Sequence, residues 1–151
     1  MNKVFLRSEE IPMPIWKKAA ESYVKSVLEI LDRKNWELSV LFCKNSFIKS
    51  LNAQYRNKDE PTDILSFPIE EEGPDGRFLA GDIVISLDAL EENARFFKVS
   101  ADEELRRLLV HGILHLSGKD HVTNETEEPM LKTQEEVLAA LEYARIQENA
   151  Q

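Results

Sequence analysis

Cysteine is nearly absent: Cys43 is the only one, so no internal disulfide can form and nothing in the composition asks for an oxidising compartment. Cys43 sits in an apolar run, where a free thiol behaves as a small hydrophobe, and a structural role is expected of it rather than a catalytic one. Long hydrophobic runs are missing too. No apolar stretch approaches the roughly 20 residues that span a bilayer, and the chain reaches Glu9 and Glu10 before any stretch of signal-peptide length. A protein that neither spans a membrane nor is secreted is expected, with a cytoplasmic location. Positive charge is also scarce, with 19 Lys and Arg against 28 Asp and Glu and a formal net charge of -9. That excludes a protein that coats nucleic acid with its whole surface. A local basic patch for RNA and docking onto a basic protein partner both remain open.

What is present fits one ordinary domain. The 151 residues are 42% hydrophobic and 31% charged, enough to bury a real core. There is no internal repeat, low-complexity tract or linker, so residues 1–151 are expected to form a single domain with a frayed tail from about Gln147 to Gln151. Val4, Phe5 and Leu6 read as a short strand, and Pro12 and Pro14 place a helix start near Ile15. From Trp16 to Leu31 apolar residues recur at three- and four-residue steps, the pattern of an amphipathic helix. Trp36 to Cys43 is rich in strand formers, and Asn45 or Ser46 can cap a short helix through about Tyr55.

Asp63 to Glu70 reads as a strand in which Pro68 marks an edge or a bulge. The turn signal from Glu71 to Gly76 joins it to a second strand, Phe78 to Leu87, as a hairpin. Asp88 to Phe97 follows as a helix. Ser100 and Glu103 form a capping box that opens a helix ending at Gly118, apolar on almost every side from Leu108 to Leu116 and therefore central and buried. Thr126 can cap a last helix with Pro129 in its first turn and Val137, Leu138, Leu141 and Ile146 further along. The fold class is α+β: a small mixed sheet of about four strands packed with about five helices.

All three histidines fall between His111 and His121. His111 and His115 share one helical face, about 5–6 Å apart at Cβ, which lets two imidazoles grip one metal. Gly118 ends the helix and lets His121 return as a third ligand. Three imidazoles suit zinc and leave a fourth position open, the arrangement of catalytic rather than structural sites. Zinc can lower the pKa of water there to about 7, which is hydrolytic chemistry. The competing reading makes His111 and His115 core histidines satisfied by hydrogen bonds, with His121 a loop residue. The same spacing occurs in metzincin proteases, which makes a zinc metalloprotease a rival. Those enzymes carry their general-base glutamate directly after the first histidine, where this chain has Gly112. A glycine in a buried helix costs about 1 kcal/mol against alanine, so close approach of backbone or substrate is expected at Gly112.

The segment His111-Gly112-Ile113-Leu114-His115-Leu116-Ser117-Gly118-Lys119-Asp120-His121 resembles the signature of the YbeY family, His-Gly-x-Leu-His-Leu-x-Gly-x-Asp-His. A second block resembles another characteristic stretch of that family: Leu51-Asn52, Tyr55-Arg56, Lys58-Asp59, Pro61-Thr62-Asp63 and Leu65-Ser66-Phe67-Pro68. Gly81-Asp82-Ile83 resembles a third. The resemblance implies a metal-dependent endoribonuclease specific for single strands, acting in 3′-end maturation of 16S ribosomal RNA and in ribosome quality control. His111, His115 and His121 would be its metal ligands, with one zinc ion per chain in a metzincin-like site. It also implies catalytic roles for His115 and Arg56.

An arginine beside the metal could hold a phosphodiester through a bidentate pair, though a cation near a helix end is favourable in any case. Lys58 and Lys119 are further basic candidates, and Arg106 and Arg107 could point elsewhere. Lys119 replaces a common aromatic residue and is either a phosphate contact or a solvated loop lysine. Asp120 either orients an imidazole or closes the turn. Asp82 and Ser66 receive no role from their spacing. The expected partners are single-stranded ribosomal RNA, the ribosome and small-subunit ribosomal proteins, with no membrane and no DNA. The alternative function is a ribosome assembly or docking factor whose zinc is mainly structural.

Overall fold

Strand-period alternation shapes the first two strands. In β1 (Lys3–Ser8) Val4 and Leu6 turn inward, and in β2 (Trp36–Cys43) Trp36, Leu38, Val40 and Phe42 do the same. The computed structural model describes residues 1–118 and 129–147. Between the strands runs α1 (Lys17–Ile30), which buries Ala20, Tyr23, Val24, Val27 and Leu28 and begins at Lys17 rather than near Ile15. A crossover of this kind makes the flanking strands parallel, and β1 and β2 pair in that sense.

α2 (Asn45–Arg56) starts where expected, but neither Asn45 nor Ser46 caps it. The residue before the helix, Lys44, makes no side-chain cap, and the Asn45 N–H instead donates to Asp88 Oδ2 at 3.0 Å. A carboxylate 43 positions further along the chain thus satisfies the helix N-terminus, where negative charge is favourable. β3 (Ile64–Glu72) and β4 (Phe78–Ser86) form the expected antiparallel hairpin, and the pairing slips between Pro68 and Glu71 as the proline foretold. β4 lies between β2 and β3, parallel to the first, giving a mixed sheet of order β1-β2-β4-β3.

α3 (Leu87–Phe97) is capped by Ser86, whose hydroxyl accepts from the Ala89 N–H. In α4 (Ala101–Leu116) the Ser100 hydroxyl accepts from the Glu103 N–H at 3.0 Å, the expected cap. Gly118 stands beyond the helix end at φ 79°, as a left-handed stop requires. α5 (Pro129–Ala140) begins on its proline but stops at Ala140, so Leu141 and Ile146 pack from the turns that follow rather than from the helix. Thr126 lies outside the described residues. Five helices and a four-stranded mixed sheet are therefore described, in agreement with the α+β expectation.

α4 is the centre of the molecule, touching α1, α3, α5, β3 and β4. One sheet face, with Leu38, Val40, Phe42, Ile83 and Ile85, packs beneath it and α1 in the main core. On the other face Cys43, Ile48, Leu65 and Val84 make a smaller core under α2. Burial pushes the Cys43 thiol up to about 11, and the thiol lies 3.6 Å from the Ile85 carbonyl, the inert setting foreseen for it. Among the described residues no helix is long and apolar enough to cross a membrane.

Candidate metal centre and its cleft

The helical spacing delivers what it promised at the imidazoles. His111 Nε2 and His115 Nε2 lie 3.0 Å apart, with ring centroids 4.6 Å apart and planes at 70°. Two nitrogens each about 2.0–2.1 Å from a tetrahedral zinc would be roughly 3.3 Å apart, so the pair fits two of the ligand positions of such an ion. Among the described residues no group of three candidate ligands occurs, and His121, Lys119 and Asp120 lie outside them.

Behind the pair stands a residue that the sequence did not single out. Gln134 of α5 is 5% exposed, and its Oε1 lies 2.8 Å from His111 Nδ1. A carboxamide oxygen accepts only, so His111 carries its proton on Nδ1 and turns the Nε2 lone pair toward His115. Metal-bound histidines are commonly held in this way. The available signal was a polar residue on the buried stripe of α5 between Met130 and Val137.

Gly112 is explained by packing. A Cβ there would lie 3.0 Å from Ile83 Cδ1 and 3.1 Å from Ile64 Cδ1, so the missing side chain lets α4 settle onto β3 and β4. The close approach is thus to the sheet, and a glutamate at this position would be driven into it. Gly81 answers a different contact, that of β4 with β3: its φ is 142°, and a Cβ would stand 2.3 Å from the Phe67 carbonyl oxygen.

Arg56, at the exposed C-terminus of α2, lines one cavity of about 740 Å³ together with Ser66, His111 and His115. The loop after it is held by buried Asn52, whose Nδ2 donates to the Glu60 carbonyl at 2.9 Å. A second cavity, of about 730 Å³, abuts the first, sharing Asp63, Ile64 and His111. Arg107 reaches this second cavity while pairing with Glu135 at 2.7 Å. Arg106 does point elsewhere, buried against Asp102 at 2.9 Å. Asp82 lies on the sheet face away from α4, where its carboxylate accepts from the Ser39 hydroxyl, so it does not join the histidines. Lys58 is exposed and lines neither cavity as described.

Burial is the largest influence on Glu104 in the second cavity and pushes its carboxyl above the ordinary range; Asn93 and Arg107 pull the other way. Across both cavities the described charged lining is Arg56 and Arg107 against Asp63 and Glu104, which is balanced rather than basic.

Comparison with known proteins bears on this arrangement. The family model described as Endoribonuclease YbeY matches residues 5–142. The chain belongs to the YbeY endoribonuclease family. It is 51% identical over 135 residues to the Endoribonuclease YbeY of Treponema denticola, covering 87% of each chain. With the Endoribonuclease YbeY of Persephonella marina it shares 42% over 139 residues, 91% of each. The solution structure of TM1509 from Thermotoga maritima superposes with a TM-score of 0.59 at 32% identity, over 93% of this chain and 92% of that one. The YbeY membership expected from the three sequence blocks is therefore established. Of the glycines in those blocks, Gly112 lets α4 rest on the sheet and Gly81 lets β4 pass close to the β3 backbone.

Proposed function

We propose that this chain is a zinc-dependent endoribonuclease that cuts single-stranded RNA, acting in 3′-end maturation of 16S ribosomal RNA and in ribosome quality control in the cytoplasm. The observation that carries the reading is the convergence of His111 and His115 Nε2, 3.0 Å apart, on a cleft that Arg56 also lines, in a chain of this family. His111, His115 and His121 would hold one zinc ion. Such an ion supplies Lewis-acid polarisation of a phosphoryl oxygen and acidifies water.

The protein's own groups have separate tasks. Gln134 keeps His111 in the tautomer that presents Nε2. Arg56 offers a planar fork to a phosphate and offsets charge that develops on it during cleavage. His115 both completes the ligand pair and faces the reacting phosphate. A peptidase reading gains nothing from position 112, which holds a glycine where the general-base glutamate would stand.

Metal content and cleavage of single-stranded RNA, measured together on wild-type and His111→Ala protein, test the proposal. Wild-type protein is expected to hold about one zinc and to cut RNA, and the variant to keep its fold while losing both. Folded wild-type protein that binds no divalent ion overturns it. The acidic surface, at net charge -9, favours a second reading in which the chain docks basic ribosomal proteins around a structural zinc. Metal-replete protein that binds ribosomal components yet leaves RNA intact would select that reading.

A further inference from the structure

We propose that the cavity between α3, α4 and α5 beside His111 is a nucleobase subsite, in which Phe97 stacks on one base of the RNA strand lying across the histidine cleft. The inference rests on the ribonuclease reading and assigns the part of the substrate that this reading leaves unplaced. The cavity encloses about 730 Å³, within the range of about 300–1,000 Å³ typical of small-molecule sites. Its walls include Ile64, Phe97, Val99 and Leu131, and it meets the cleft at His111, so a strand held there has only to turn one base sideways to reach it.

Phe97 is the last residue of α3 and is 60% exposed, so its ring is accessible at the cavity wall. Its neighbour Phe96, 79% exposed, meets it edge-on with ring centroids 5.0 Å apart. That contact props the Phe97 ring. The floor is polar. Asn93 Nδ2 donates to Asp63 Oδ2 at 3.0 Å and to Glu104 Oε2 at 3.2 Å, which commits both of its N–H groups and leaves carboxylate lone pairs as the acceptors. A floor of acceptors suits a base that presents an exocyclic amino group, as carboxylates do with cytosine N4.

Charge supports the same occupant. Among the described residues Arg56 and Arg107 are offset by Asp63 and Glu104, so beyond the one phosphate that Arg56 can hold the described lining is balanced rather than basic. Base faces and base edges are then a natural further source of affinity for a single strand, the mode in which aromatic stacking contributes most. A duplex keeps its base faces stacked on each other, so the same subsite would also account for selectivity toward single strands.

The test is binding of a short fluorescent single-stranded RNA to the full-length, metal-free protein by anisotropy, with an abasic nucleotide placed at each position in turn. One position is expected at which the abasic substitution weakens binding by about five- to 150-fold, the worth of one stacked base. Phe97→Ala is expected to weaken the intact RNA by a similar factor and to erase the penalty at that position alone. Cytosine there should bind more tightly than uracil, and the slope of log affinity on log salt should be shallow, about -1. A Phe97→Ala protein that binds intact RNA as the wild type does, or that keeps the same abasic penalty, overturns the subsite. If wild-type protein also cleaves RNA in that case, the ribonuclease reading survives it. Metal-free wild-type protein that binds no RNA at all removes the subsite, and the ribonuclease reading then stands or falls on the zinc and cleavage measurement alone.

Discussion

The two ends of α4 bury polar groups for opposite purposes. Near its start, Asp102 is 4% exposed and spends its oxygens on the Arg106 guanidinium and on the backbone N–H groups of Ile146 and Gln147, at 2.7–2.9 Å. The first bond closes a turn of α4 on itself, and the other two tie the helix to the segment after α5. Near its end, His111 and His115 are only half-buried; Gln134 supports one of them from behind, and their Nε2 atoms meet at the wall of an open cleft. The first cluster is closed by its own partners, whereas the second is braced and directed outward. A buried polar group that is saturated by backbone donors fastens a fold, whereas a ring held by a carboxamide behind it turns a chosen nitrogen toward the cleft.

Asp102→Ala breaks the comparison at its closed end and carries the largest expected effect. It leaves a buried guanidinium without its counter-charge and orphans two backbone N–H groups that anchor the segment after α5. Losing one partner of a buried pair costs about 3–5 kcal/mol, which chemical denaturation would register directly. Zinc affinity of the fraction that remains folded should be unchanged. A variant that lost zinc while keeping its stability would show that the two ends of the helix are not independent. Tyr23 belongs to this closed end as well: its hydroxyl is buried near Arg106 and Asp102 with no hydrogen-bond partner among the described residues, and burial pushes it up to about 12.

The open end is broken by Gln134→Leu. The change removes the acceptor that fixes the His111 tautomer while filling a similar volume on a buried helix face. Zinc affinity should fall about 10–100-fold, measured by competition with a chromophoric chelator, with little change in unfolding free energy. An unaltered affinity would mean that His111 is oriented by other contacts.

What could be read in advance divides along a physical line. Strand β2, the Ser100 cap, the Pro68 irregularity and the paired imidazoles all depend on spacing within a few residues, and the sequence displays that spacing openly. Gln134 reaches His111 across 23 positions, Asp88 caps α2 across 43, and Asp102 collects Ile146 and Gln147 across 44 and 45. For Asp88 and Asp102 nothing in a local window distinguishes the side chain from a solvated one, and for Gln134 the window shows a polar residue on an apolar stripe without naming its partner. The early end of α5 at Ala140 has the same origin, because the segment beyond it is anchored to Asp102 in place of continuing the helix.

Glu104 lies between the two ends and sharpens the contrast with the smallest effect. It is 4% exposed like Asp102, yet its described partner is one amide hydrogen bond from Asn93, and it borders the second cavity. Burial therefore outweighs its hydrogen bond, and its carboxyl titrates above the ordinary value of 4.5 in the folded protein. Between the unfolded and folded values the folded chain holds a proton that the unfolded chain has released, so stability declines as pH rises through that window. Glu104→Gln keeps an acceptor for Asn93 and removes the ionisation. Thermal unfolding followed from acid to neutral pH should show the variant gaining on the wild type as pH rises through the window, then running parallel to it above. A difference that shrank with rising pH would mean that the ionised carboxylate is compensated as fully as Asp102. In that case Glu104 would belong to the fastening end of the helix and not to its cleft.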